Sequence, residues 1–188
     1  WICDQQYAII NFEAILVAIC ERNAMSDNAL FPKGAALVVG ASGGIGGKVA
    51  EILGRDGSDL ALVYNRKADA AQAVATKVAT HTSLHRCDVT DPAAIATLIE
   101  TAVAEHGRIH TLVWAAGPLV DQLYLAETPL EKWRKAFEVE VHGFFALVTA
   151  LIPHMRQHGG GSIVHLGSAG HLRWPDRDGL SVAPKASN

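Results

Sequence analysis

Cysteine is scarce in this chain: three residues in 188, at positions 3, 20 and 87. An odd, scattered set suggests neither a disulfide framework nor a zinc-binding spacing, and it fits a reducing, cytoplasmic setting. Net charge is nearly lacking too. Sixteen Lys and Arg against 19 Asp and Glu leave −3, which argues against nucleic acid or an anionic membrane as the main partner. Long uninterrupted apolar runs are missing. The nearest approach, YAIINFEAILVAIC at 7–20, is broken by Asn11 and Glu13. It is too short and too polar at its centre for a membrane span. With no basic residues before it and no A-x-A site after it, it does not read as a secretory signal. Repeats and low-complexity segments are absent.

What remains is an ordinary globular composition, 49% hydrophobic, long enough for one domain with a sizeable core. The chain starts at Trp1, and MSDNALFPKGAALVVGA from Met25 reads like a natural opening. Residues 1–24 are therefore expected to be an extension to a domain over 25–188. The alternative is an extra amphipathic helix packed on that domain.

From Ala35 onward, short apolar runs alternate with helical patterns. Strands are expected over 35–40, 59–65, 83–89, 109–117 and 161–168. Helices are expected from Ile45 to about Arg55, with Ile45, Val49, Ile52 and Leu53 on one face, and over 67–79. A third opens at Thr90 or Asp91, has Pro92 in its first turn and ends at Gly107. A fourth runs from near Pro129 to about Gln157. Its apolar stripe is Leu130, Trp133, Phe137, Val141, Phe144, Val148 and Leu151, with Glu140 on or beside that inner face. Another helix begins as the chain reaches Asn188. The expected architecture is α/β: a Rossmann-type doubly wound parallel sheet in three α/β/α layers, truncated after the fifth strand and the start of the next helix. In such folds ligands bind beyond the carboxyl ends of the strands.

The first strand–helix junction, VVGASGGIGGKVAEILG at 38–54, carries glycines at 40, 43, 44, 46 and 47. Gly40 permits a tight turn, bare Cα atoms let the backbone approach a pyrophosphate, and the N–H groups opening the helix face its charge. The bland alternative is a turn that needs positive φ and holds no ligand. The second strand ends in YNR. A carboxylate there would hold the ribose 2′-hydroxyl of NAD. Asn65 and Arg66 stand there instead, and a guanidinium pairs with a 2′-phosphate. NADP is therefore expected over NAD, unless Arg66 merely solvates a helix start.

The spacing Gly40-x-x-x-Gly44-Ile45-Gly46 resembles the T-G-x-x-x-G-I-G fingerprint of the short-chain dehydrogenase/reductase family, with Val39 where threonine usually sits. CDV at 87–89 is similar to that family's adenine-contacting Asp segment. WAAG at 114–117 is similar to its N-A-A-G, with Trp114 for Asn. FEVEVHGFF at 137–145 resembles its long fourth helix, and GSIVHLGSAG at 161–170 its serine-bearing strand. The resemblance covers about residues 33–188, and a full member would continue for several more elements. It implies coenzyme contacts from Gly40, Ser42, Gly44, Ile45, Gly46, Asn65, Arg66, Asp88, Val89, Ala115, Ala116, Gly117 and Lys185. It also implies hydride transfer between NADP(H) and a small carbonyl or alcohol. Homo-oligomers are implied too, weakened here because the later helices usually build the dimer interface.

Family members use Asn, Ser, Tyr and Lys. The Tyr is the general acid/base, its phenol lowered by the Lys and the nicotinamide charge. The Ser hydrogen-bonds the substrate carbonyl, the Lys also holds the nicotinamide ribose, and the Asn supports a proton-relaying water. Ser168 matches the serine and Lys185 the lysine. At the tyrosine position stands Ser181, a far weaker acid; with one residue deleted the position falls on Val182 instead. Glu140 stands at the asparagine position. It either places a carboxylate in the site, facing Lys185, or turns to solvent. Two functional readings result. One is an NADP(H)-dependent oxidoreductase; the other is a catalytically inactive dinucleotide-binding protein or truncated relic. His154 and His158, four apart at a helix end with no third ligand, read as solvated, and no metal is expected. Trp174, within HLRWPDRDG at 171–179, either contacts substrate or covers the core.

Overall fold

The structure, a computed structural model, describes residues 30–188. The expectations for residues 1–24 and for the apolar run at 7–20 lie outside the described residues. Five parallel strands form one sheet in the order β3-β2-β1-β4-β5. They are β1 (Ala35–Val39), β2 (Asp59–Tyr64), β3 (Thr82–Arg86), β4 (Ile109–Trp114) and β5 (Ser162–His165). The helices between them are α1 (Gly44–Arg55), α2 (Ala68–Ala75), α3 (Pro92–His106), α4 (Leu130–Phe137) and α5 (Phe144–Gln157), followed by α6 (Gly170–Arg173) and α7 (Gly179–Ala186). The chain runs outward from β1 in one direction and then returns to β4 on its other side. This makes the β1/β4 junction the switch point where such sheets open a crevice.

β1 has no exposed residue, so both of its faces must be covered. Its odd positions, Ala35, Leu37 and Val39, pack with Ile95 and Leu98 of α3 and Leu147 and Leu151 of α5. Its even positions, Ala36 and Val38, pack with Ala50 of α1 and with Leu60 and Leu62 on the opposite face. The strand period of two thus sorts one apolar run between two helical layers. A fully buried leucine such as Leu37 contributes about 2 kcal/mol of transfer free energy.

Local chemistry explains the helix ends. The Asp91 carboxylate caps α3 by accepting the Ala93 N–H at 2.9 Å, Pro92 fills the first turn, and Gly107 ends the helix at φ +72°. Four expectations need correction. The buried face of α1 is Gly46, Gly47, Ala50 and Gly54, whereas Ile45 is exposed; the helix gains close approach, with a Cβ on Gly47 meeting Val74 at 3.0 Å. α2 is shorter than expected and ends at Ala75. β3, β4 and β5 stop at Arg86, Trp114 and His165, so CDV, AAG and Ser168 lie in the loops beyond them.

The fourth correction concerns the long helix. It runs from Leu130 to Gln157 but contains a π turn at Glu138–Gly143. Its buried positions are Ala136, Glu140, Gly143, Leu147, Leu151 and Met155, while Leu130 is exposed. The inserted residue rotates the helix, so the expected stripe is half-buried from Trp133 to Val148 and only its last member, Leu151, is buried. This helix is long and apolar enough to cross a membrane by composition. In the fold, Leu147, Leu151 and Met155 seat it on the sheet.

Candidate functional site

Gly40 follows β1 with φ +84°. A Cβ there would lie 2.6 Å from the Ala115 carbonyl oxygen and 2.7 Å from Ala116 N, so only glycine lets the turn pass the end of β4. Gly43 N–H donates to the Gly40 carbonyl at 2.9 Å, and Gly47 N–H to the Gly43 carbonyl at 2.8 Å. A Cβ on Gly46 would collide with the Gly40 carbonyl. The first amides of α1, at Gly44, Ile45 and Gly46, have no partner within the helix and open at the switch point. Ser42 sits in the same turn and Ile45 projects outward, exposed.

Beside this turn, a cavity of about 650 Å³ is lined by Asn65, Arg66, Asp88 and Thr90 from the loops after β2 and β3. Arg86, Arg134 and Lys135 join them, against one further carboxylate, Glu138. Asp88 is fixed there: its carboxylate accepts the Thr90 amide at 3.1 Å and the Thr90 hydroxyl at 2.8 Å. Those bonds, helped by Asn65 and Arg66, hold it below the usual carboxylate range. Val89 is buried against Gly143, where a Cβ would meet Val89 Cγ2 at 3.0 Å. Burial pushes the Cys87 thiol up to about 11, which leaves it inert. Arg86 and Arg134 had no sequence signal of their own. Arg86 pairs in register with Tyr64 at the strand ends, and Arg134 arrives from α4, an element that follows β4 in the chain.

At the other side of the switch point, the π turn aims Glu140 inward. Its side chain is buried and accepts a hydrogen bond from Lys185 Nζ of α7. The solvent-facing alternative for Glu140 is thereby excluded. Gly117 lacks the side chain that would occupy the space of this pair. Burial raises the Glu140 carboxyl above its ordinary value, against the lowering effect of Lys185. Oε2 and Trp114 Nε1 are both buried and have no other partner; the indole N–H acts on the carboxyl and adds to the lowering by Lys185, although the two atoms do not reach hydrogen-bond geometry. Trp114 therefore does more than replace an asparagine; it walls the carboxylate against Phe144, with ring centroids 5.5 Å apart.

Ser181 lies one turn before Lys185 on α7, half-buried, with its N–H bound to the Asp178 carbonyl at 3.0 Å. Val182 is 1% exposed and packs against Gly170, so it does not face the site. Ser168 lies three residues past β5. Its Oγ accepts the Gly170 N–H at 3.0 Å, which leaves the hydroxyl proton free to donate. The sequence did not single out His165 or Asn188. The Asn188 amide bonds the Glu140 carbonyl at 2.8 Å and reaches His165 Nε2 at 3.0 Å. Two other expectations are decided. His154 is not simply solvated: its Nε2 accepts the Ile109 N–H at 3.0 Å, a structural bond between α5 and β4. Trp174 is 63% exposed at φ +45° and does not cover the core.

Comparisons with known proteins agree with this arrangement. The profile of the enoyl-(acyl carrier protein) reductase family matches residues 40–187. The chain is 34% identical over 141 residues to an uncharacterized oxidoreductase of Staphylococcus saprophyticus, covering 74% of this chain and 56% of that one. It is 35% identical over 137 residues to a D-threitol dehydrogenase of Mycolicibacterium smegmatis, covering 71% and 52%. Among solved structures, an NAD+-bound xylitol dehydrogenase superposes with a TM-score of 0.77 at 26% identity, over 84% of this chain and 61% of that one. The chain thus spans about half the length of these two curated relatives. A parallel sheet opened at β1/β4, a turn in which Gly40 and Gly46 leave no room for a Cβ, and these matches identify the chain as a member of the short-chain dehydrogenase/reductase family.

Proposed function

We propose that this chain binds NADP(H) and belongs to an oxidoreductase that interconverts a small carbonyl compound and its alcohol. The observation that carries the reading is the turn at Gly40 and Gly46, where a Cβ would collide with the chain's own backbone, so that only glycine lets the first amides of α1 open at the switch point as a diphosphate needs. The adjoining cavity supports the phosphorylated coenzyme: four cationic side chains, Arg66, Arg86, Arg134 and Lys135, face two carboxylates, and no acid follows β2. Bound there, the coenzyme would supply the hydride. The chain's own residues do the rest. Gly44, Ile45 and Gly46 would offer amides to the diphosphate, with Ser42 beside them. Asp88, Val89 and the 115–117 loop would border the adenosine and nicotinamide halves. Ser168 would donate its hydroxyl proton to the substrate oxygen. The groups here able to hold a proton are the Glu140 carboxyl, raised by burial, and the Lys185 ammonium; Ser181 is too weak an acid.

Fluorescence titration with NADPH and NADH tests the first half. Saturable NADPH binding, tighter than NADH, is expected. Arg66→Ala should narrow that preference about tenfold, the scale of one charge-assisted contact. An unchanged ratio would refute the assignment of Arg66. Coenzyme oxidation over a panel of aldehydes and ketones tests the second half.

A further inference from the structure

At the end of the sheet opposite Gly40, three metal-ligating side chains converge. Asp59 opens β2, His81 lies just before β3, and His106 closes α3. Each offers one ligand atom, and these atoms lie within 4.8 Å of one another. The main chain fixes the first two, because Leu60 N–H donates to the His81 carbonyl at 2.9 Å. The Thr80 hydroxyl adds a bond to the Ser58 carbonyl at 2.7 Å. The two imidazoles stand 4.6 Å apart, centre to centre.

His106 supplies the second, independent observation. Its Nε2 lies 2.7 Å from Ser83 Oγ, which in turn lies 2.7 Å from His85 Nε2. Its Nδ1 is buried with no hydrogen-bond partner at all. Such an atom is rare in a folded protein and calls for an occupant. With Nε2 donating to the serine, Nδ1 presents a lone pair.

We propose that Asp59, His81 and His106 form a zinc site, with His106 binding through Nδ1 and water in the fourth position. Two imidazoles and one carboxylate are a donor set that zinc accepts. Tetrahedral zinc, with bonds of about 2.1 Å, needs ligand atoms roughly 3.4 Å apart. The His81 side chain, 55% exposed, is the one free to move inward. Ser83 acts one shell out, orienting the His106 ring, and Glu105, 3.9 Å from His81 Nε2, is placed to do the same for His81. The ion would tie β2, β3 and α3 together at the end remote from the coenzyme turn, and the folded form alone would hold it.

The test uses the full chain, zinc chloride and a competing chromophoric chelator, with thermal unfolding measured in parallel. The expected result is one tight equivalent of zinc that raises Tm. Asp59→Asn and His81→Ala should each weaken binding about tenfold or more. His81→Ala, at an exposed position, should leave the Tm of the metal-free chain unchanged. Cobalt in place of zinc should give the intense visible band of tetrahedral geometry, lost in both variants. His154→Ala removes a second histidine pair, whose rings lie 4.3 Å apart; it loses the bond from the Ile109 N–H and should lower Tm, but it should leave zinc affinity unchanged. The proposal is overturned if no saturable zinc uptake is found, if both variants bind like the unaltered chain, or if His154→Ala abolishes binding. Coenzyme affinity is measured separately and bears on neither outcome.

Discussion

Replacing Lys185 by methionine would strand a carboxylate in the interior. The Glu140 side chain is 2% exposed and that of Lys185 20%, so the pair is shielded mostly on the glutamate side. Oε2 already has no partner, and Oε1 has only the lysine. Breaking a buried pair from one side costs about 3–5 kcal/mol, because the remaining charge is uncompensated. Lys185→Met should therefore lose about that much in urea unfolding at pH 7. Glu140→Gln should lose about 1 kcal/mol, since the amide oxygen still accepts from Nζ and the ammonium can reach water. The double variant should recover most of the Lys185→Met loss, because it buries no charge. The sign of the pH dependence follows from burial. Glu140 has a raised carboxyl in the fold, so its folded form keeps a proton that the unfolded chain releases. Its contribution is thus complete below the unfolded value of 4.5 and is lost as pH rises through the folded one. Removing Lys185 widens that window, so the deficit of Lys185→Met should shrink as pH falls toward 5. A small, pH-independent loss, or losses in the double variant that simply add, would show that the two groups do not interact across the interior.

Three further outcomes are expected. Gly40→Ala combines a left-handed φ of +84° with a Cβ 2.6 Å from the Ala115 oxygen; it should cost about 1–3 kcal/mol in unfolding and abolish coenzyme binding by fluorescence titration. Asp91→Ala removes the cap bond to Ala93 N–H and should cost about 1 kcal/mol in the same unfolding assay, with coenzyme affinity intact. His110 is 3% exposed, and burial, then Arg108, lower its imidazole to about 4. It must fold uncharged, so its contribution is present above the ordinary 6.5 and lost as pH falls toward 4, by about 3 kcal/mol. Denaturation curves from pH 7 to 4.5 should show that slope, and His110→Gln should flatten it.

The fold was legible because its signals are local and redundant. Five apolar runs, each followed by a helix with readable stops, leave few alternatives once strands must be parallel and covered on both faces. The glycine turn was legible for the same reason: a backbone that must pass close to another strand excludes side chains, and that exclusion is written directly into residue type. The site's other half was harder to read, because it depends on rotation rather than composition. A helical wheel at 3.6 residues per turn left Glu140 on or beside the inner face, without deciding which. The π turn at Glu138–Gly143 adds a residue, moves the buried line onto Ala136, Glu140 and Gly143, and carries the carboxylate to Lys185. No pattern within the helix announces that turn. Part of its cause lies elsewhere: Gly143 must pass within reach of Val89, and Gly117 must leave room for the carboxylate. The cationic cavity has the same character, since Arg86 and Arg134 meet only after the sheet and α4 are assembled. Two of the substitutions that depart from the family pattern, Trp114 and Glu140, are also neighbours in space. An indole N–H and a carboxylate oxygen, both buried, flank the ion pair of Lys185 and Glu140. They read best as one coupled change, in which the carboxylate that Lys185 neutralises is walled by the indole beside it.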